Sequence, residues 1–401
     1  MSAFKIVAVV DSDSYLKFAC STLEGMPEWD RRVVVVRSPV LPTMEQVRAA
    51  TVGTFMEDIP VPVVPARKLS AVVDQADVVL AAATGPIAEE VLFTASRLRP
   101  RPALISALPG VALPATEKGL RYRAMGDAFV THSHAERRAY GGLADALGVD
   151  LTMLVSRLPF LHSVEPPRPV GAPLRSVVFA PQAKVPAVRE ERVRILQHMA
   201  RLTRQRPELK VTVKLRAWDG EPQTHLEHHP YDRLWRKLTA DGAVAGDELA
   251  FETGSLAGFL TLGTALVTVS STAALEAVDA GLPVLILGDF GVNDELLNGV
   301  FTGSGLIGSL EDLQRGAFFH PEAPWLRDNY FHEPEDKLSY LLGSYAVSAR
   351  AGTLGVPSTA SAHIRRRRLR LRLRTALPTP ALKLARRLSK LAQSARQPVR
   401  Q

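Results

Sequence analysis

Alternation of strand and helix patterns occurs twice in this chain of 401 residues, and a proline-rich segment separates the two series. Such alternation favours parallel sheets wrapped by helices. The proline-rich residues 164–173 are typical of an extended linker. We therefore predict an α/β protein with a Rossmann-like N-terminal domain over residues 1–163 and a second Rossmann-like domain over residues 174–346.

The apolar, β-branched runs place strands at 5–10, 32–36, 77–82, 103–107 and 127–131, and then at 176–180, 210–215, 249–252, 265–269 and 283–287. The helical patterns lie at 14–23, 44–50, 87–98, 136–147, 188–204, 231–239, 256–263, 273–278, 310–315 and 335–346. Right-handed crossovers bring the loops after parallel strands to one edge of a sheet, where ligands bind. We therefore expect the functional residues at the ends of strands.

The basic charge of the chain is concentrated at its C-terminus. Residues 364–401 contain 13 of the 49 Lys and Arg residues and no Asp or Glu. Removing these 13 charges from the formal net charge of +8 leaves −5 for the rest of the chain. A mildly acidic body argues against nucleic acid as a partner, and we expect none.

Residues 347–401 are predicted to form a flexible joint followed by a basic tail. Within the tail, residues 381–392 place leucines on one helical face and Lys or Arg mostly on the other. A basic amphipathic helix beside an arginine cluster favours an anionic membrane surface as partner. A solvated basic tail, or one that binds nucleic acid or acidic proteins, is the alternative.

The remaining composition bears on location and on covalent chemistry. No apolar run approaches the roughly 20 residues of a membrane span, and the first residues lack the pattern of a signal peptide. Cys20 is the only cysteine, which excludes a disulfide framework and a multi-cysteine metal site. We expect a cytoplasmic protein, peripheral at the inner face of the plasma membrane if its tail binds there.

One stretch, residues 262–291, combines a strand, a short polar turn, a helix and a further strand. Ser270, Ser271 and Thr272 follow the first strand and open the helix. Unpaired backbone N–H groups at such a position can bind an anion. Ser and Thr are also common N-caps, so an ordinary capped helix is the alternative.

The same stretch resembles the donor-phosphate loop of bacterial glycosyltransferases with the GT-B fold. The matching residues are Ser270-Ser271-Thr272, Glu276-Ala277, Gly281 and Pro283-Val284. Enzymes with this pattern include capsule sialyl- and Kdo-transferases, CDP-glycerol polymer synthases and UDP-sugar 2-epimerases. The polar loop 220–227, together with the Asp11–Ser14 segment, looks like an actinobacterial group of glycosyltransferases, and the resemblance covers residues 5–345.

The resemblance implies two domains facing across a cleft and a nucleotide-sugar donor held by the second domain. Lys214 and Arg216 would then hold the leaving phosphate with the Ser270–Thr272 loop, without a metal or cofactor. Arg216 stands where sialyltransferases have a His-Pro element, and its guanidinium can bind phosphate through two parallel hydrogen bonds. Glu276 would bind a ribose hydroxyl. Lys184 and His225 are further donor-side candidates.

The acceptor side is expected in the first domain. Asp11, Asp13 and His132 follow predicted strands, and each is a candidate base for an acceptor hydroxyl. The alternative for Asp13 is an N-cap. Thr84, Gly85 and Gly110 lie at neighbouring strand ends and are expected to line the cleft, although glycines also suit tight turns. The acceptor implied is a cell-surface glycan or a lipid-linked sugar.

Several other functions lack their motifs in this sequence. The chain has no phosphate loop of the G-x-x-x-x-G-K-[ST] type, no G-x-G-x-x-G after its first strand and no H-E-x-x-H. Two alternatives to a glycosyltransferase stay open: a UDP-sugar 2-epimerase of the same fold and a non-catalytic nucleotide-binding scaffold.

Overall fold

Two parallel sheets form the framework of the computed structural model, which describes residues 2–38, 40–161, 168–221, 227–333 and 337–357. The strands of the first sheet are β1 (Lys5–Val10), β2 (Asp30–Val36), β3 (Val63–Val64), β4 (Val78–Ala81), β5 (Ala103–Ala107), β6 (Ala128–Thr131) and β7 (Thr152–Val155). Their order is β3-β2-β1-β4-β5-β6-β7. The chain thus builds outward from β1 on one side and restarts at β4 on the other.

The second sheet repeats this plan. Its strands are β8 (Ser176–Phe179), β9 (Lys210–Lys214), β10 (Ala250–Glu252), β11 (Thr264–Thr268), β12 (Val284–Leu287) and β13 (Ile307–Gly308), in the order β10-β9-β8-β11-β12-β13. All neighbouring strands in both sheets are parallel. Each sheet therefore has a topological switch point, between β1 and β4 or between β8 and β11, where ligands bind in such folds.

The described helices connect and cover these strands. They are α1 (Asp13–Glu24), α2 (Met44–Thr51), α3 (Leu69–Val72), α4 (Gly85–Ala95), α5 (Glu117–Arg121), α6 (His134–Leu147), α7 (Arg189–Gln205), α8 (Tyr231–Ala240), α9 (Ala273–Asp279), α10 (Leu310–Arg315), α11 (Ala323–Asp328) and α12 (Leu338–Ala351). None of the helices described is long and apolar enough to cross a membrane. The two predicted Rossmann-like domains are confirmed.

The last helix of the described chain, α12, packs on the first sheet although it follows the second in sequence. Leu342 and Ala346 are fully buried there, in the same cluster as Leu16 of α1. The i, i+4 spacing of the two α12 residues puts them on one helical face. The predicted domain boundary at residue 346 therefore falls inside a helix, and residues 347–351, predicted as a flexible joint, are helical. Residues 358–401 lie outside the described part of the chain.

Other differences from prediction are confined to short elements. Residues 256–263 were expected to be a helix, but only the turn Leu256–Gly258 is helical. Gly263, with φ +84°, adopts a left-handed conformation that ends any such helix. The edge strands β7 and β13 were not predicted, because neither is fully buried and β13 has only two residues.

Candidate functional site

Residues at the carboxyl edges of the two sheets meet between the domains. Gly110, which follows β5, lies against Thr272 at the start of α9. A Cβ atom added to Gly110 would be 2.8 Å from Thr272 Cγ2. Two residues predicted for opposite sides of a cleft are thus brought together, and the absence of a side chain at Gly110 permits the approach.

Lys214, beside this contact in the second domain, interacts electrostatically with the cations Lys17 and Arg216 and with the Glu276 carboxylate. Lys214 ends β9, and it makes no hydrogen bond or ion pair with any described residue. Burial, together with the charges of Arg216 and Lys17, lowers the pKa of Lys214 to about 8, and the charge of Glu276 opposes this shift. Glu276 itself pairs with Lys17 across the domains, with Nζ and Oε2 3.4 Å apart. Three cations and one anion leave two positive charges, which suits a diphosphate.

Lys17 was missed by the reasoning from sequence. It lies on α1, and its ammonium is 4.8 Å from the centroid of the Phe160 ring. A signal was available, because Lys17 follows the candidate base Asp13 by four residues on a predicted helix. Residues with this spacing share one helical face.

The three hydroxyl residues before α9 have different environments. Ser270 is buried, and its hydroxyl donates a hydrogen bond to the carbonyl oxygen of Leu297. The hydroxyl of Ser271 accepts a hydrogen bond of 3.2 Å from the N–H of Ala273. Thr272 makes no side-chain capping bond. Of the three hydroxyls, that of Thr272 is therefore the most available to a ligand. The hydroxyl of Ser270 instead fixes the loop to Leu297.

Asp11 closes the switch point of the first sheet. Its carboxylate accepts hydrogen bonds from the N–H of Thr84, at 3.0 Å, and from the Thr84 hydroxyl, so it links the loops after β1 and β4. Asp11 is fully buried, and burial raises its pKa to about 6. Asp11 and Thr84 therefore hold two loops of the first sheet together, which differs from their predicted roles as a base and as a residue lining the cleft. Asp13, by contrast, is half-buried in the first turn of α1.

His132 is placed differently from what a catalytic base requires. It is buried, with Nδ1 2.9 Å from the carbonyl oxygen of Ser156 and Nε2 2.8 Å from that of Leu108. Both ring nitrogens therefore face acceptors, and neither is directed at a substrate hydroxyl. The structure favours a role for His132 in joining the loops after β5 and β7.

The other candidate residues differ in their surroundings. A Cβ atom on Gly85 would be 2.1 Å from Tyr122 Cδ2, so this glycine serves side-chain packing. Lys184 is exposed in the loop after β8, and Arg216 is exposed after β9. His225 lies outside the described residues. Over the part of the chain that is described, no group of three or more His, Cys, Asp or Glu side chains could hold a metal ion.

Comparison with solved structures shows the fold at low sequence identity. A putative UDP-N-acetylglucosamine 2-epimerase from Listeria monocytogenes is 14% identical, with a TM-score of 0.52, and the alignment covers 90% of this chain and 100% of that one. MnaA of S. aureus, solved with UDP, is 12% identical, with a TM-score of 0.54 and coverage of 89% and 100%. Two Rossmann-like domains of this kind constitute the GT-B fold.

Sequence comparison gives the family. A search of curated proteins found no match. The family described as "Putative glycosyltransferase (DUF6716)" matches residues 6–342, which is well over half of the chain and includes both sheets. This chain belongs to that glycosyltransferase family.

Proposed function

We propose that this protein transfers a sugar from a nucleotide-sugar donor to a hydroxyl of a cell-surface glycan or lipid-linked acceptor. The observation that carries the proposal is the half-buried side chain of Lys214, whose ammonium lacks a hydrogen-bonding partner among the described residues. Partial burial of a cation without a partner costs free energy, and an anionic ligand would reduce that cost.

The donor diphosphate would occupy the space beside Lys214, with Arg216 and Lys17 supplying further positive charge. These residues stabilise the negative charge that develops on the leaving nucleotide, which is the role a metal has in other transferases. Thr272 would donate its hydroxyl to a phosphate oxygen. Glu276, freed from Lys17 by the competing phosphate, would accept a hydrogen bond from a ribose hydroxyl.

Asp13 is the proposed base. In the transfer step the acceptor hydroxyl loses its proton to the Asp13 carboxylate while its oxygen forms a bond to the anomeric carbon. The bond between that carbon and the phosphate oxygen breaks, and the nucleotide leaves with the electron pair. Asp13 supports this role by its position at the start of α1, one helical turn before Lys17.

We also propose that the basic tail holds the protein at the inner face of the plasma membrane. Thirteen positive charges without a single carboxylate in residues 364–401 support an anionic surface as partner. This location would bring the soluble domains close to a lipid-linked acceptor.

A UDP-sugar 2-epimerase is the second candidate, favoured by the similarity of fold to the Listeria monocytogenes protein. Incubation with UDP-N-acetylglucosamine alone separates the two functions. An epimerised sugar nucleotide formed without acceptor would overturn the transferase proposal.

The first experiment is a thermal-shift screen against CMP, CDP, UDP and GDP in the presence of EDTA. We expect at least one nucleoside diphosphate to raise the melting temperature, because ligand binding stabilises the folded state. The sugar nucleotides of that base are then tested for transfer. A protein that no nucleotide stabilises would keep the fold without nucleotide affinity, and the proposal would fail.

A further inference from the structure

A buried arginine of the C-terminal domain lies outside the cation cluster. Arg192 is in the first turn of α7 and is 1% exposed. Its Nε donates to the carbonyl oxygen of Pro186 at 2.8 Å, and its Nη2 donates to those of Gln182 and Ala183 at 3.0 Å each. Three of its five N–H donors are thus bound to the loop that follows β8.

The remaining two donors reach a different segment. Nη1 of Arg192 donates to the Glu227 carboxylate and, at 3.0 Å, to the carbonyl oxygen of His229. The guanidinium also lies 4.8 Å from the centroid of the Tyr231 ring at the start of α8. All five donors are therefore used, and one side chain joins the loops that follow β8 and β9.

The first of these loops is connected directly to the proposed phosphate loop. The side-chain amide of Gln182 donates to the carbonyl oxygen of Ser270, and the hydroxyl of Thr268 donates to that of Ala180 at 2.8 Å. Gln182 therefore connects Arg192 with Ser270. Its backbone carbonyl accepts from Arg192, and its side-chain amide donates to Ser270.

We infer that Arg192 is a positioning residue for donor binding. It touches no part of the proposed phosphate site, and it fixes the loops that form one side of that site. This inference rests on the proposed function only for the identity of the ligand. Lysine cannot replace Arg192, because an ammonium has three donors and lacks the planar geometry that serves five acceptors.

The test compares Arg192→Lys with Arg204→Lys. Arg204 is at the other end of the same helix and pairs with Glu248 at 2.7 Å, away from the strand-end loops, so it is a matched control. In the ligand-free protein, hydrogen exchange of residues 182–186 and 270–274 should become faster in Arg192→Lys and stay unchanged in Arg204→Lys. Equal exchange in the two variants would overturn the inference.

The second measurement is the dissociation constant for the nucleotide that the wild type binds, taken well below the melting temperatures. We expect a loss of about tenfold or more for Arg192→Lys and no change for Arg204→Lys, since small misplacements at a binding site are costly. An unchanged constant for Arg192→Lys would overturn the inference. A wild type that binds no nucleotide would instead defeat the proposed function, and the exchange data alone would then decide whether Arg192 positions the loops.

Gln182→Met is a second variant that tests the same inference if Arg192→Lys does not fold. This variant removes the hydrogen bond to Ser270 and leaves the contacts of Arg192 to the backbone. Faster exchange at 270–274, with residues 227–229 unchanged, supports the connection. Unchanged exchange at 270–274 would show that positioning does not pass through Gln182.

Discussion

Lys17 of the first domain and Glu276 of the second form an ion pair of 3.4 Å between α1 and α9. The pair is partly exposed, with 43% of the Lys17 side chain and 20% of the Glu276 side chain accessible, so its contribution to stability is small. The Glu276 carboxylate of this pair also interacts electrostatically with the neighbouring ammonium of Lys214. A phosphate entering here would compete with Glu276 for both lysines, which couples donor binding to the contact between domains.

Replacement of Lys214 by methionine should weaken nucleotide binding. A hydrogen bond to a charged group contributes about 1.5–3 kcal/mol, which corresponds to a roughly 10- to 150-fold higher dissociation constant by isothermal titration calorimetry. Lys210→Met is the matched control, because Lys210 begins the same strand at the opposite end and pairs with Glu252 on the surface. Equal affinities of Lys214→Met and the wild type would remove Lys214 from the donor site.

Nucleotide affinity should fall as pH rises from 7 to 9. The pKa of Lys214 is lowered to about 8, so the cationic form is lost above that pH. At pH 9 about one molecule in ten retains the charge, which predicts a dissociation constant about tenfold higher than at low pH. The same titration of Lys214→Met should be flat over this interval, and a matching decline in that variant would assign the pH dependence to another group.

Asp11 should make the stability of the folded state depend on pH. The folded pKa of Asp11 is about 6, against 3.8 as the ordinary value, so the folded state binds this proton more tightly than the unfolded state. The stability that Asp11 contributes is therefore fully present below about pH 4 and is lost as the pH rises through 6, by about 1–3 kcal/mol.

Urea unfolding between pH 4 and 7 measures this effect. Asp11→Asn should lack the decline in the free energy of unfolding that the wild type shows. Asp13→Asn should instead reduce the transfer rate by about 100-fold or more while nucleotide affinity is kept, as expected for a general base. A fully active Asp13→Asn would exclude it as the base.

Substitution of Gly110 by alanine should strain the contact between the domains. The new Cβ would meet Thr272 Cγ2 at 2.8 Å, and overpacking of this kind costs about 1–3 kcal/mol. We expect a lower melting temperature and a slower transfer rate. Thr272→Ser removes the offending methyl group and keeps the hydroxyl, so the double variant should recover both properties. If the double variant recovers neither the melting temperature nor the transfer rate, the strain does not arise at the Thr272 methyl group.

Truncation after residue 357 should abolish sedimentation with vesicles that contain anionic phosphatidylserine. Binding should also weaken with salt in the full-length chain, since it depends on positive charge. Nucleotide affinity should be the same with and without the tail. Retained vesicle binding by the truncated chain would assign membrane affinity to the folded domains.

Much of the framework was predictable from local pattern, because fully buried parallel strands give continuous apolar runs. This holds for β1, β5 and β12, whose interiors are buried on both faces. It fails for β7 and β13, which lie at sheet edges and are partly exposed. Thr272 and Lys214 were predicted for the site from their positions after or at the end of a strand.

Relationships between distant segments were not predictable from local pattern. Lys17 pairs with a residue 259 positions away, and only the domain arrangement brings the two together. His132 has the chemistry of a base, but its ring nitrogens face two backbone carbonyls supplied by other loops. Arg192 looks like a charged residue on a helix surface, whereas the loops of its own domain enclose it.

The return of α12 to the first sheet has a consequence for biosynthesis. Domains generally fold as units during translation, the N-terminal one first. Here a fully buried part of the first hydrophobic core, at Leu342 and Ala346, is synthesised only after all strands of the second sheet. Until α12 is synthesised, the apolar surface of the first domain that this helix covers stays exposed to solvent. We therefore expect a nascent chain arrested before residue 338 to bind chaperones.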